Sequence, residues 1–226
     1  PTNIDEYRKL ADRVEPVIEE FISPYAVSVT KAAKSATFFL SKPGSEEEAG
    51  IDARRAFVSY MPNLLENVVT DDGSGMPDPI EETDPEGVPI FKAIVPSDAA
   101  KNLNVSVGSV ISVIPYWEDT VPFIRVMIVG TFDRSNPEDP YWHVVDSVFM
   151  SPYKAGTVSG SNFDTLPLYV SESDFMETLG PTFTEMVTTY AWTIDVETEK
   201  LNSSNASDAK KNILFAPSWN KSSKNL

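Results

Sequence analysis

Over the first two dozen positions, apolar residues recur at spacings of three and four: Ile4, Tyr7, Ala11, Val14, Ile18 and Phe21. That period places them on one face of a helix. Asn3 and Glu6 have the spacing of a capping pair. Pro16 removes a backbone donor and crowds the preceding turn, so a kink or a split is expected there. After Pro24 the period shortens. Residues 25–29, 37–40 and 56–60 are short runs rich in β-formers, separated by polar stretches, and they predict strands.

Residues 63–70 fit a short strand or a turn of helix, and the β pattern resumes at 88–95 with VPIFKAIV. The segment 94–133 carries the most order. Pro96-Ser97-Asp98 opens a short helical piece over 98–103, Val107-Gly108 makes a turn, and an apolar run fills 110–114. A second run, 121–129, closes on Gly130. Residues 134–141 (RSNPEDPY) read as a proline-rich turn, and 166–170 as a strand. The stretch 171–180 predicts a short helix with Ser171 as its N-cap, Asp174 three residues on, and a stop at Gly180-Pro181. Residues 188–196 are a strong strand candidate. Beyond 197 the chain is polar around one apolar knot at 213–215. There is no repeat at a fixed period. Strands outnumber helices without alternating regularly. This predicts an α+β fold with mixed or antiparallel sheets, a long N-terminal amphipathic helix and a few short helices, and not a doubly wound parallel sheet.

Composition narrows the classes. A chain of 226 residues with 41% hydrophobic content can bury a core as one or two domains. A net charge of −16 argues against nucleic acid and against anionic lipid surfaces. The absence of cysteine excludes thiolate metal sites, a Cys nucleophile and disulfides. No apolar run approaches the ~18 residues that cross a bilayer. The start on Pro1 reads as a piece cut from something longer.

The chemistry sought is largely missing. The chain has one histidine, His143, beside Tyr141 and Trp142, and no G-x-S-x-G elbow, so a nucleophile lacks its usual base. Phosphate-cradling glycine motifs are absent. Carboxylates are plentiful, at Glu46–Glu48, Asp71, Asp72, Glu81, Glu82, Asp84, Asp133, Glu138 and Asp139. They fall in Pro/Gly-rich loops, where water keeps them ionised. The acidic stretch 70–87 (TDDGSGMPDPIEETDPEG) has almost nothing to bury and reads as an exposed loop or as a linker between subdomains. Its DDGSG lacks the alternating oxygen ligands and distal Glu of a calcium loop, so a solvated loop outweighs a calcium site. No catalytic, cofactor-binding or metal residue is assigned. The remaining handle is aromatic: Tyr116 and Trp117 at a hairpin tip, and Tyr141 and Trp142 after the proline-rich turn, are the candidate partner-binding residues.

The order helix, glycine turn, strand, hairpin, strand resembles the core of the extracytoplasmic domain of ABC-transporter permeases of the MacB/FtsX and lipoprotein-release type. Val107-Gly108 matches that family's Val-Gly turn, with Ser109 where Asp is commoner. Ile128-Val129-Gly130 matches its strand end, Pro96-Ser97-Asp98 the start of its short helix, and 168–171 its strand before another helix. The likeness is best over 88–170 and weakens toward 196. The acidic stretch 70–87 has no counterpart, and the tail beyond Lys200 lacks an obvious long return helix.

The resemblance implies an extracytoplasmic core domain over 1–200, with 201–226 as a polar tail, held at the cell membrane on its outer side. It implies a cognate ABC ATPase subunit acting through the membrane part of a dimeric parent, and a protein, peptide or lipoprotein cargo. The domain would couple ATP-driven movement of the membrane spans to recognition outside, and would catalyse nothing. The alternative is a free-standing exported glycan- or peptide-binding protein using its loop aromatics. An exported hydrolase using loop carboxylates stands third.

Overall fold

The computed structural model describes residues 4–22, 25–48, 54–71, 75–78, 82–115, 123–143, 165–183, 185–200, 202, 204–208 and 210. Nine strands form one mixed sheet: β1 (Ala26–Ser35), β2 (Phe38–Ser41), β3 (Arg55–Tyr60), β4 (Val68–Thr70), β5 (Ile90–Pro96), β6 (Val110–Pro115), β7 (Ile124–Arg134), β8 (Thr165–Tyr169) and β9 (Thr188–Val196). The helices are α1 (Ile4–Val17), α2 (Ser97–Leu103), α3 (Pro140–His143) and α4 (Gly180–Thr182). The class is α+β. Two compact units share the chain, one including Lys31–Ala191 and the other built from Asp5–Thr30 and residues from Trp192 onward.

In the first unit the sheet closes on itself. The ring runs β2-β6-β7-β5-β8-β3, and β3 pairs back to β2. The pairs β5–β7 and β3–β8 are parallel, and the other four contacts around the ring are antiparallel. Closure pairs every strand of the ring on both sides over part of its length. β7 shows the alternation such a wall needs, with Ile124, Val126, Ile128, Gly130 and Phe132 buried and the residues between them facing outward. Phe38, Phe57, Phe91 and Val113 are also fully buried.

Closure depends on one bend. β1 and β2 both pair antiparallel with β3, but Ala33↔Tyr60 and Phe38↔Ala56 differ in register by one residue. The extra residue falls between Ser35 and Phe38. There the Val58 N–H donates to the Ser35 hydroxyl at 2.8 Å. The bent strand can then serve β3 on one side and β6 on the other.

Most predicted elements occur, with informative differences. β7 does not end at Gly130. Ala93 pairs with Ile128 and Ile94 with Gly130, so Val129 is an extra, bulged residue and the strand continues to Arg134. The extension lets Phe132, Asp133 and Arg134 pair with β4. The 63–70 segment is both things proposed for it, a 3₁₀ turn at Leu64–Asn67 and then β4. Ser171 does cap, accepting the Asp174 N–H at 3.0 Å. Gly180-Pro181 does not stop that helix. The winding widens over Asp174–Leu179 and resumes as α4, with Gly180 in ordinary right-handed geometry at φ −58. Pro181 falls in the first turn of the new winding, where a missing N–H costs little.

The described part of the acidic stretch is mostly exposed but is anchored at two points. It lies inside the first unit, and the division falls instead at 30/31 and 191/192. Asp84 and Pro77 are buried, and Met76 packs on the core made by Ala32, Met61, Leu64, Ile94, Phe132, Trp142 and Tyr169.

In the second unit, Val14 of α1 and Ile18 just after it are buried, and Tyr7 stacks on Trp192 at 6.1 Å. Pro16 lies within α1, and the helix widens to a π turn at Ile18–Ile22. Its missing donor loosens the ladder at that point. The Glu197 N–H donates to the Tyr25 carbonyl at 2.9 Å.

Candidate functional site

Segment 94–133 builds one side of a cleft of about 710 Å³ lined by residues 40–43, 54, 103–105 and 109–111. β5 feeds directly into α2, where the Asp98 carboxylate accepts the Ala99 N–H at 2.7 Å. Asn104, in left-handed geometry at φ 51, ends the helix, and the Val105 N–H closes it onto the Ala100 carbonyl. The turn that follows needs glycine. Gly108 has φ +85, and its N–H donates to the Ile128 carbonyl at 2.8 Å, which starts the β6–β7 hairpin.

The opposite side is the end of β2. Ser41 pairs with Ser112, and Pro43 with Gly44 at φ +84 then turns the chain away from β6. Arg54, just ahead of β3, crosses the gap and donates from Nη1 to the Leu103 carbonyl at 2.5 Å. The walls are Leu40, Leu103, Val105, Val110 and Ile111. The charged lining groups are the exposed Lys42 and Arg54, and no carboxylate joins them among the described residues.

A second cluster centres on Arg125 in β7. Its guanidinium meets Asp84 Oδ2 at 2.5 Å, Glu86 Oε2 at 2.8 Å and Glu46 Oε1 at 3.8 Å. The Ser112 hydroxyl donates to the same Glu46 oxygen at 2.5 Å. Burial works to raise the Glu46 pKa, but the Ser112 hydroxyl, backbone N–H groups and Arg125 together hold it below the usual carboxylate value. The geometry ties both acidic loops to the barrel wall. Three carboxylates face its cation, so the cluster is structural.

The sequence-predicted aromatics separate. Trp142 is fully buried in the core, under the Arg134 guanidinium at 4.9 Å, so it is not an exposed anchor. Neighbouring polar residues suggested exposure, and residues 135–138 are exposed, but Trp142 itself packs inward. Tyr141 is half-buried, edge-on to Trp142 at 4.7 Å, with its hydroxyl donating to the Pro62 carbonyl at 2.8 Å. Burial, and then the Glu66 carboxylate, push its pKa up. Tyr116 and Trp117 lie outside the described residues, as do the Asp72–Ser74 part of DDGSG and the side chain of His143. Asp71 binds protein donors, accepting the Thr131 hydroxyl at 2.5 Å and the Ser97 hydroxyl at 3.2 Å. No group of three or more metal-ligating side chains occurs among the described residues. Lys42 and Arg54 were not singled out from sequence. The available signal was Pro43-Gly44 directly after a short apolar strand, which marks a ladder cut short.

The class these features define is a fold class, an α+β protein with a closed six-stranded barrel and a cationic cleft at a break in its wall. No protein-family model matches the chain, and no curated protein matches it. Among solved structures it is similar to "a domain of a putative Permease protein" from Porphyromonas gingivalis, at 12% identity and a TM-score of 0.36, over 87% of this chain and 68% of that one. No helix among the described residues is long and apolar enough to cross a membrane.

Proposed function

We propose that this chain is an extracytoplasmic domain of an ABC-transporter permease of the MacB/FtsX kind. In this role it couples ATP-driven movement of membrane spans to recognition of a protein, peptide or lipoprotein cargo outside the membrane. One observation carries the reading. The elements that the resemblance names occur in its order, α2, a turn on Gly108, β6 and β7, and the two strands are neighbours in the barrel. The chain itself performs no catalytic step in this reading, and hydrolysis belongs to a partner ATPase.

The test is made on the product of the whole parent gene. It should resist extraction from membranes by alkaline carbonate and co-purify with a P-loop ATPase subunit. Hydrophobic spans of about 20 residues should flank this segment. A parent without such spans, recovered entirely in the soluble exported fraction, overturns the proposal in favour of a free-standing binding protein. That second reading draws on the cleft beside Arg54, since Trp142 no longer serves it.

A further inference from the structure

We propose that the cleft beside Arg54 captures the free C-terminal end of an extended peptide, which adds as a short strand to β6 at Val110.

The backbone register leads to this site. Paired antiparallel residues alternate between those that exchange hydrogen bonds and those that do not. The Leu40 N–H donates to the Arg54 carbonyl at 2.7 Å, so even-numbered residues of β2 bond toward β3 and odd-numbered ones toward β6. Ser41 and Ser112 are therefore a hydrogen-bonding pair, and the next such pair would join Pro43 to Val110. Proline has no N–H to give, and Gly44 carries the chain away. On its other side β6 bonds to β7 through odd-numbered residues, as the Ile128 N–H donating to the Ser109 carbonyl at 2.9 Å shows. Val110 thus directs its N–H and C=O toward the cleft, with no backbone partner there among the described residues. An open strand edge of this kind is a template for an added strand.

Charge selects which peptide. The chain as a whole carries −16, yet Lys42 and Arg54 line this gap without a carboxylate among the described lining residues. The bond from Arg54 to the Leu103 carbonyl holds the guanidinium at the mouth of the cleft while the side chain stays exposed. An apolar last side chain fits between Leu40, Leu103 and Ile111, and the terminal carboxylate then reaches the two cations. A cleft of about 710 Å³ lies within the range of small-ligand sites and suits a few residues, not a folded partner. The inference stands apart from the permease reading, because capture is a property of the isolated chain.

The experiment uses the 226-residue chain and fluorescein-labelled hexapeptides ending in Leu, Val or Phe, each as the free acid and as the C-terminal amide. Anisotropy should show the acid binding at least about tenfold more tightly than the amide, with affinity falling as salt rises. Lys42→Glu should weaken binding about tenfold or more at unchanged far-UV circular dichroism. Arg54→Gln, which also loses the bond to Leu103, serves as the second variant. Hydrogen exchange at the Val110 amide should slow on saturation with peptide. Equal binding of acid and amide overturns the proposal, as does saturation that leaves Val110 exchange unchanged. Laurate binding at Lys42 and Arg54, with no peptide bound at millimolar concentration, overturns it in favour of a fatty-acid site.

Discussion

Arg125 of β7 and Asp84 of the acidic stretch meet at 2.5 Å with their side chains 12% and 3% exposed. The same Asp84 carboxylate accepts the N–H groups of Glu86 and Val88 at 2.7 and 2.8 Å. It therefore shapes the turn and docks it on the barrel wall. Removing one partner leaves a desolvated charge, so Asp84→Ala is expected to cost about 3 kcal/mol, the lower end of the range because Glu86 and Glu46 still face the guanidinium. Adding Arg125→Met should recover part of that loss. Urea unfolding of the two single variants and the double variant gives the coupling, expected at about 2 kcal/mol. A double variant as unstable as the sum of the singles would mean the pair is not coupled.

Local signals in the sequence were enough for much of the fold. The strand predicted at 188–196 coincides with β9, and Ser171, Gly108 and the 96–98 start each do what a cap, a turn and a helix opening require. Long-range pairing was not legible. Closure of the barrel involves a one-residue register change between β1 and β2 where the Ser35 hydroxyl accepts the Val58 N–H, which no period reveals. Asp84 looked solvated because its partner Arg125 lies far along the chain. It does sit in Asp-Pro-Glu-Gly, where an aspartate accepting N–H groups further on is a recognisable turn signal. Gly130 resembled a strand end and proved to lie just after a bulge at Val129, since glycine suits both places. Lys42 and Arg54 become a site only when β2 and β3 are placed beside α2.

Ser35 carries a burden disproportionate to its size. It is 4% exposed, and its hydroxyl is the acceptor for the Val58 N–H at the bend. Ser35→Ala leaves a buried donor unmet, with an expected cost of about 1–3 kcal/mol. Ser59→Ala removes a buried hydroxyl that donates to the Ala33 carbonyl at 2.8 Å, and a carbonyl tolerates losing one donor better than an amide tolerates having no acceptor. Ser35→Ala should therefore unfold at lower urea than Ser59→Ala. The reverse order would show that Val58 finds another acceptor at little cost.

Glu46 predicts an acid-side dependence. Burial opposes its charge, but the Ser112 hydroxyl, backbone N–H groups and Arg125 outweigh it and hold the folded-state pKa below the usual carboxylate value. A depressed carboxylate stabilises the fold fully above its unfolded value, and that contribution is lost as pH falls through the folded value. Stability should fall as the pH drops below about 4.5. Glu46→Gln should flatten that part of the profile, measured by thermal unfolding across acidic pH. A profile unchanged by the substitution would remove Glu46 from the account.

Trp142 separates packing from partner contact. The ring is fully buried against Tyr141 and beneath Arg134, in the cluster that joins β5, β7 and β8 through Ile94, Phe132 and Tyr169. Truncation to alanine removes a large buried side chain and leaves a cavity, so Trp142→Ala is expected to cost about 3–5 kcal/mol. Trp142→Phe should cost less, because an aromatic still fills most of the space. Tyr141→Phe leaves the Pro62 carbonyl without its donor and should cost about 1 kcal/mol. Its phenol should stay protonated at pH values where free tyrosines ionise, since burial and then the Glu66 carboxylate raise its pKa. Absorbance titration of the native chain beside Tyr141→Phe reads this directly. A Trp142→Ala protein of unaltered stability would return that residue to the surface and to partner binding.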